Sequence, residues 1–162
     1  MDRLWSPWRS EYIASGNADS ESRGCVFCDI YRDAQNDERN FVVHRATHAF
    51  VVLNRYPYTS GHLLIVPNEH VGELESAPKP ATDEMMDLTK QSATFLREVY
   101  RPEGFNVGMN LGKVAGAGIA DHIHIHILPR WGGDTNFMTS IAETRVLPEA
   151  LATTYQKLRK KF

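Results

Sequence analysis

At 162 residues, with 42% hydrophobic and 23% charged side chains, the chain fits one domain with its own core, and this composition excludes a disordered or membrane-embedded protein. A formal net charge of −2 leaves no basic field with which to coat nucleic acid. No apolar run reaches the ~18 residues of a membrane span and no leader pattern is visible, so a cytoplasmic protein without nucleic-acid or membrane partners is expected.

In chain order, residues 1–24 read as an N-terminal extension. Its Leu4-Trp5-Ser6-Pro7-Trp8-Arg9 carries two indoles that should pack on the domain or on a second subunit. The domain proper is expected over 25–162. It opens with the chain's two cysteines, Cys25 and Cys28, spaced C-x-x-C. In a reducing compartment such a pair binds metal or cycles redox rather than forming a structural disulfide. Asp33 to Asn40 is a polar loop. Phe41–Val43 and Ala49–Leu53 predict a hairpin of two strands, with His44 and His48 solvated in its turn. Asn54–Gly61 is punctuated as a turn, and His62–Pro67 predicts a third strand buried on both faces.

A helix is predicted from Thr82 as N-cap, with Met85, Leu88, Phe95 and Val99 along one stripe and Pro102 and Gly104 as the stop. Phe105–Leu111 predicts a strand, and Gly112–Gly118 a loop of small residues. From His122 to Trp131, imidazole and isoleucine alternate strictly at first. That period of two predicts a strand with His122, His124 and His126 on one face and Ile123, Ile125 and Ile127 on the other. Gly132 and Gly133 open a loop to about Val146, and a last helix from Pro148 shows Leu151, Tyr155, Leu158 and Phe162 as its apolar face. The order predicts an α+β domain, an antiparallel sheet with two main helices.

The histidine face carries the chemistry. Alternate residues on a strand lie roughly 6.5–7 Å apart and the outer pair twice that, so three imidazoles do not share one ion. A division of labour follows. Cys25 and Cys28 with two imidazoles make a tetrahedral zinc set, and His122 and His70 are the candidates. A metal-free pair, a redox pair and two core cysteines are the alternatives. A free imidazole near neutral pH is a nucleophile as well as a base, and its best phosphorus target is a phosphoanhydride. Asn110 and backbone N–H groups of the Gly112–Gly118 loop are placed to stabilise charge on phosphate oxygens. The loop lacks the lysine and spacing of a P-loop.

His122-Ile-His124-Ile-His126-Ile-Leu128 resembles the signature of the histidine triad family of nucleotidyl hydrolases and transferases. A second motif, Asn54-(x7)-His62-Leu-Leu-Ile-Val-Pro67, falls in the right order before it, and the likeness runs over about residues 25–138. The resemblance implies a histidine triad fold and a nucleotidyl-histidine intermediate on His124. It implies that His126 and His62 contact phosphate, that Asn54 lies near the ribose, and that Asn110 lies near the phosphate or the scissile oxygen. It also implies a structural zinc on Cys25, Cys28, His70 and His122, and a homodimer. The flanks around Trp8 and Pro129-Arg130-Trp131-Gly132-Gly133-Asp134 resemble the bacterial branch with diadenosine tetraphosphate phosphorylases. That branch uses phosphate as acceptor, with Trp131 and the loop at Gly118 near the nucleotide. Where phosphorylases carry Gly-Ser and many hydrolases carry Gln followed by Ser or Thr, this chain has Ala117-Gly118. A non-catalytic nucleotide sensor and a hydrolase using water are the competing readings.

Overall fold

The computed structural model describes residues 24–135, 147 and 149–162. Trp5, Trp8, Pro148 and residues 136–146 lie outside the described residues; the last helix starts at Leu151, with Ala150 as its N-cap, not at Pro148.

Five antiparallel strands form one sheet in the order β1-β2-β3-β5-β4. They are β1 (Val42–Arg45), β2 (Ala49–Leu53), β3 (Leu63–Pro67), β4 (Gly104–Gly108) and β5 (Ile125–Arg130). Every residue of β2 and β3 is buried, which explains their unbroken apolar runs. Side-chain alternation then sorts the sheet into two faces. Val51, Leu53, Leu63, Ile65, Ile125 and Ile127 pack beneath α3 (Lys79–Tyr100) and α4 (Leu151–Arg159), against Met85, Leu88, Leu96, Tyr155 and Leu158. Phe50, Val52, Leu64 and Val66 point to the opposite face, where Phe27 of α1 (Val26–Arg32) covers them. His62 and His126 share the parity of Leu64 and Val66, so they emerge on the α1 face, at the end that α1 leaves open.

One glycine is required for this arrangement. Gly61 has φ +79°, and a Cβ there would meet Leu96 at 3.0 Å, Tyr100 at 3.2 Å and Pro129 at 3.3 Å. It turns the chain into β3 where α3 and β5 leave no room for a side chain.

Several expectations are corrected. The first main helix starts at Lys79, not Thr82, because Pro78 caps it and Pro80 suits its first turn; the Thr82 hydroxyl donates to the Lys79 carbonyl at 2.9 Å. Its buried stripe runs through Ala81, Met85, Leu88, Thr89, Ser92 and Leu96, with Phe95 at the margin, edge-on to Phe162. β4 ends at Gly108, which leaves Asn110 in the following loop. The Asp33–Asn40 stretch carries a 3-10 turn, Ala34–Asn36, and the short α2, Asp37–Asn40. The C-x-x-C lies at the start of a helix that its sequence did not announce. His44 is not in a turn: it sits on β1, half-buried and stacked on Phe162 at 5.2 Å, and burial pushes its imidazole below the usual value.

The histidine strand is also shorter than its alternation. Sheet pairing begins at Ile125, while Ile123 N–H bonds Val71 O at 2.8 Å in the segment after β3. His122, Ile123 and His124 are all buried, so on this stretch alternation does not separate a buried face from an exposed one.

Candidate active site and metal centre

Two clusters lie side by side on the α1 face. In the first, the helix brings Cys25 and Cys28 towards His70, three residues past β3, and towards His122. Cys25 Sγ lies 3.2 Å from His122 Nδ1, and Cys28 Sγ lies 3.4 Å from His70 Nδ1 and 3.7 Å from His122 Nδ1. The four ligand atoms lie within 4.8 Å of one another. Bonds of about 2.3 Å to sulfur and 2.0–2.1 Å to nitrogen, set tetrahedrally, separate donor atoms by comparable distances. The tautomer fits as well. His122 Nε2 donates to Pro67 O at 2.9 Å, which leaves the Nδ1 lone pair facing the sulfurs. Burial, then the hydrogen bond and charge of Cys25, raise the Cys28 thiol above its ordinary value, and burial first lowers His122. Two thiols and two imidazoles converging in this way are a donor set that suits a zinc ion.

The second cluster holds the other two triad histidines and His62. His124 is 6% exposed, packed under Phe27 with ring centroids 5.0 Å apart. Its Nδ1 donates to the His122 backbone carbonyl at 3.0 Å, so its Nε2 carries the lone pair. Burial, outweighing that hydrogen bond, holds this imidazole below its ordinary value, so it is neutral at neutral pH.

His62 is 1% exposed, and burial, then the nearby His126, lower it well below the ordinary value. The Tyr58 backbone N–H donates to His62 Nδ1 at 3.2 Å, and Asn54 Nδ2 lies 3.4 Å from the same nitrogen. The proton of neutral His62 is therefore on Nε2, which donates to His126 Nδ1 at 2.9 Å. His126, accepting at Nδ1, presents its own N–H at Nε2. One relay, Tyr58 to His62 to His126, fixes two tautomers and leaves a donor beside the His124 lone pair; the His124 and His126 ring centroids are 4.8 Å apart.

These groups open on a cavity of about 70 Å³ lined by His124, His126, Asn54, Tyr58, Asn110 and Gly118, among others. Asn110 is held there by its amide, which donates to Gly116 O at 3.3 Å. A second cavity of about 360 Å³ adjoins it, sharing Phe27, Asn54, Tyr56, Leu64 and Ile119. The structure thus gathers His124, His126, Asn54, Asn110 and Gly118 around one opening, with His62 buried behind His126 rather than on the cavity wall, and Cys25, Cys28, His70 and His122 around one point. Trp131 is placed elsewhere. Its indole N–H donates to Tyr100 O at 3.4 Å, and it lines neither cavity.

With that geometry in hand, the sequence model of the HIT domain matches residues 35–133. The chain belongs to the HIT domain family. Over 98% of its length this HIT protein is 40% identical to a Mycobacterium tuberculosis protein named AP-4-A phosphorylase, of which it covers 83%. It also resembles a zinc-bound histidine triad family protein of Mycobacterium smegmatis (TM-score 0.68, 28% identity, 85% of this chain and 92% of that one). A HIT family member of Bacillus subtilis gives a TM-score of 0.62 at 25% identity over 86% of this chain and 98% of that one. The α+β antiparallel fold and the family expected from the sequence both hold.

Sequence reasoning missed Phe27, Ile30, Tyr56, Tyr58 and Ile119 as cavity walls of the HIT site. Phe27 was open to discovery, since the residue before Cys28 in C-x-x-C must face either the cysteines' neighbours or solvent. Tyr58 was not, because its part is played by a backbone N–H that any residue except proline carries. Among the described residues no helix is long and apolar enough to cross a membrane.

Proposed function

We propose that this HIT protein is an enzyme that cleaves dinucleoside polyphosphates, such as diadenosine tetraphosphate, by phosphorolysis. The observation that carries this reading is the pair of fixed tautomers: a lone pair on His124 Nε2 and an N–H on His126 Nε2, on rings whose centroids lie 4.8 Å apart. The relative named AP-4-A phosphorylase, 40% identical over nearly the whole chain, supports the substrate class.

The chemistry follows from the two nitrogens. His124 Nε2 attacks the α-phosphorus; the N–P bond forms as the bond to the bridging oxygen breaks, and ATP leaves. The His126 N–H and the Asn110 amide donate to the non-bridging oxygens, where negative charge gathers. Phosphate oxygen then attacks the same phosphorus, the N–P bond breaks, and ADP is released with His124 again neutral. The Asn54 side chain holds the ribose at the junction of the two cavities. The larger, mainly apolar cavity takes the base, against Phe27, Ile30, Leu53 and Ile119. Gly118, without a side chain, lets the loop backbone approach the phosphates. Trp131 meets the nucleotide only if a second copy of the chain supplies it. Two copies pair along β4, an edge strand whose Val107 is half exposed. Residues 25–162 form the catalytic domain, with residues 1–24 as an extension preceding it. Cys25, Cys28, His70 and His122 hold a structural zinc, which ties α1 to the segment that bears His124.

Product analysis with diadenosine tetraphosphate tests the reading. In the presence of phosphate, ADP and ATP are expected in equal amounts, and His124→Ala abolishes both. AMP and ATP irrespective of phosphate would make water the acceptor, and full turnover by His124→Ala would overturn the mechanism.

A further inference from the structure

The larger cavity is not apolar throughout. Beyond the walls it shares with the triad cavity, it is lined by Asp29, Asp33, Asn40 and Arg55. Asp33 sits at the centre of this group. The Asn36 amide donates to its Oδ1 at 2.6 Å and the Asn40 amide donates to its Oδ2 at 2.9 Å. A carboxylate only accepts, so the Asn40 side chain must turn its nitrogen to Asp33 and keep its oxygen for another partner. The backbone pins the same residue. Phe41, next in sequence, has φ +59°, a left-handed conformation rare for a bulky side chain, and its N–H bonds Glu38 O at 3.2 Å. Arg55 is turned away in part, donating to Arg39 O at 3.3 Å.

This end of the cavity therefore offers acceptors: the Asn40 carbonyl oxygen and the Asp33 carboxylate. A base that fits it must bring N–H donors. Accepting the nucleotide reading proposed above, on which this inference rests, the α-phosphate lies at His124 and the ribose at Asn54, which directs the base towards Asn40. We infer that Asn40, oriented by Asp33, accepts a hydrogen bond from the exocyclic 6-amine of a purine and so makes the site selective for adenine over hypoxanthine. Hypoxanthine is the sharp comparison, since it keeps the purine frame but places a carbonyl oxygen where adenine has the amine. Two acceptors would then face each other without a proton between them.

Competitive inhibition by AMP and IMP, measured on the full-length protein, tests this. AMP is expected to bind about tenfold more tightly than IMP, the factor that one net hydrogen bond supplies. In Asn40→Ala the preference should fall to about one, as AMP loses its hydrogen bond and IMP is relieved of the facing acceptor. In Asp33→Ala, where the amide is free to rotate, it should shrink in the same direction. Equal binding of AMP and IMP by the unaltered protein overturns the inference whether or not the variants fold, and so does a preference that survives Asn40→Ala. Absence of inhibition by either nucleotide is a different failure: it would refute the nucleotide pocket itself.

Discussion

Replacing His62 by leucine tests the relay on which the proposed chemistry depends. His62 is 1% exposed and spends both ring nitrogens on neighbours, accepting from Tyr58 N–H at 3.2 Å and donating to His126 Nδ1 at 2.9 Å. Leucine fills similar space but leaves both partners unmet. At about 1 kcal/mol for each lost hydrogen bond, the fold should lose about 2 kcal/mol, or roughly 4–8 °C in Tm for a chain of this size. The effect on activity has another origin. The bond to His126 biases that ring towards the Nε2–H tautomer by about 0.5–1.5 kcal/mol, so its loss should lower kcat by about two- to tenfold. His126→Ala removes the donor itself and should cost about 10²–10³ in kcat. Because His62 acts through His126, the double variant should be no slower than His126→Ala alone. Turnover of diadenosine tetraphosphate with phosphate, followed by chromatography of ADP and ATP, measures all three. If the two losses multiply in the double variant, His62 contacts the substrate independently and the relay is wrong. Long-range 15N–1H correlation should also place the His126 proton on Nε2.

Two further predictions follow from the same geometry. The purified protein should carry one zinc per chain by atomic absorption, and Cys25→Ala and Cys28→Ala should each abolish it and lower Tm; a metal-free protein of undiminished Tm would refute the assignment. The second concerns pH. Burial holds His62 well below the ordinary imidazole value, so on acidification the unfolded chain takes up this proton before the folded one does. Its contribution is complete above about pH 6.5 and is lost as pH falls from there towards the folded value. Urea unfolding at pH 7.5 and 5.5 should show lower stability at the acid pH, with a smaller difference in His62→Leu.

Much of this was legible in the sequence because periodicity is a direct record of packing. The runs at 49–53 and 62–67 gave strands, the second of them expected to be buried on both faces, and the structure buries every residue of both observed strands. The gathering of Asn54, His62, His124 and His126 was legible through the two motifs. What was not legible depends on partners distant in sequence. Helix α1 has only 7 residues and a weak pattern of its own; packing of Phe27 against His122 and His124, about a hundred positions later, stabilises it. The stretch at 33–40 read only as a polar loop, yet Asp33 collects two amides to shape a cavity wall. His44 read as a turn residue because nothing local shows that Phe162, at the other end of the chain, stacks on it.

His122 joins the two clusters through hydrogen bonds, and Phe27 packs on both. His122 turns its side chain towards the cysteines and its carbonyl towards His124 Nδ1, 3.0 Å away. The plane and tautomer of the His124 ring are thus set by a peptide group whose own position depends on the His122 side chain. That side chain is held on one nitrogen by Pro67 O and faces Cys25 with the other. A displacement of His122 would rotate the carbonyl, release the His124 Nδ1 proton, and let the ring adopt the tautomer that has no lone pair on Nε2. This is why shortening of the strand at its start is consistent with function. Residues 122–124 leave regular sheet pairing, and their carbonyl and ring nitrogens are committed to the site instead of to a ladder. The alternating motif therefore encodes two geometries in one stretch: ordinary strand from Ile125 onward, where isoleucines fill the core, and a bent approach before it, where the histidines direct each other.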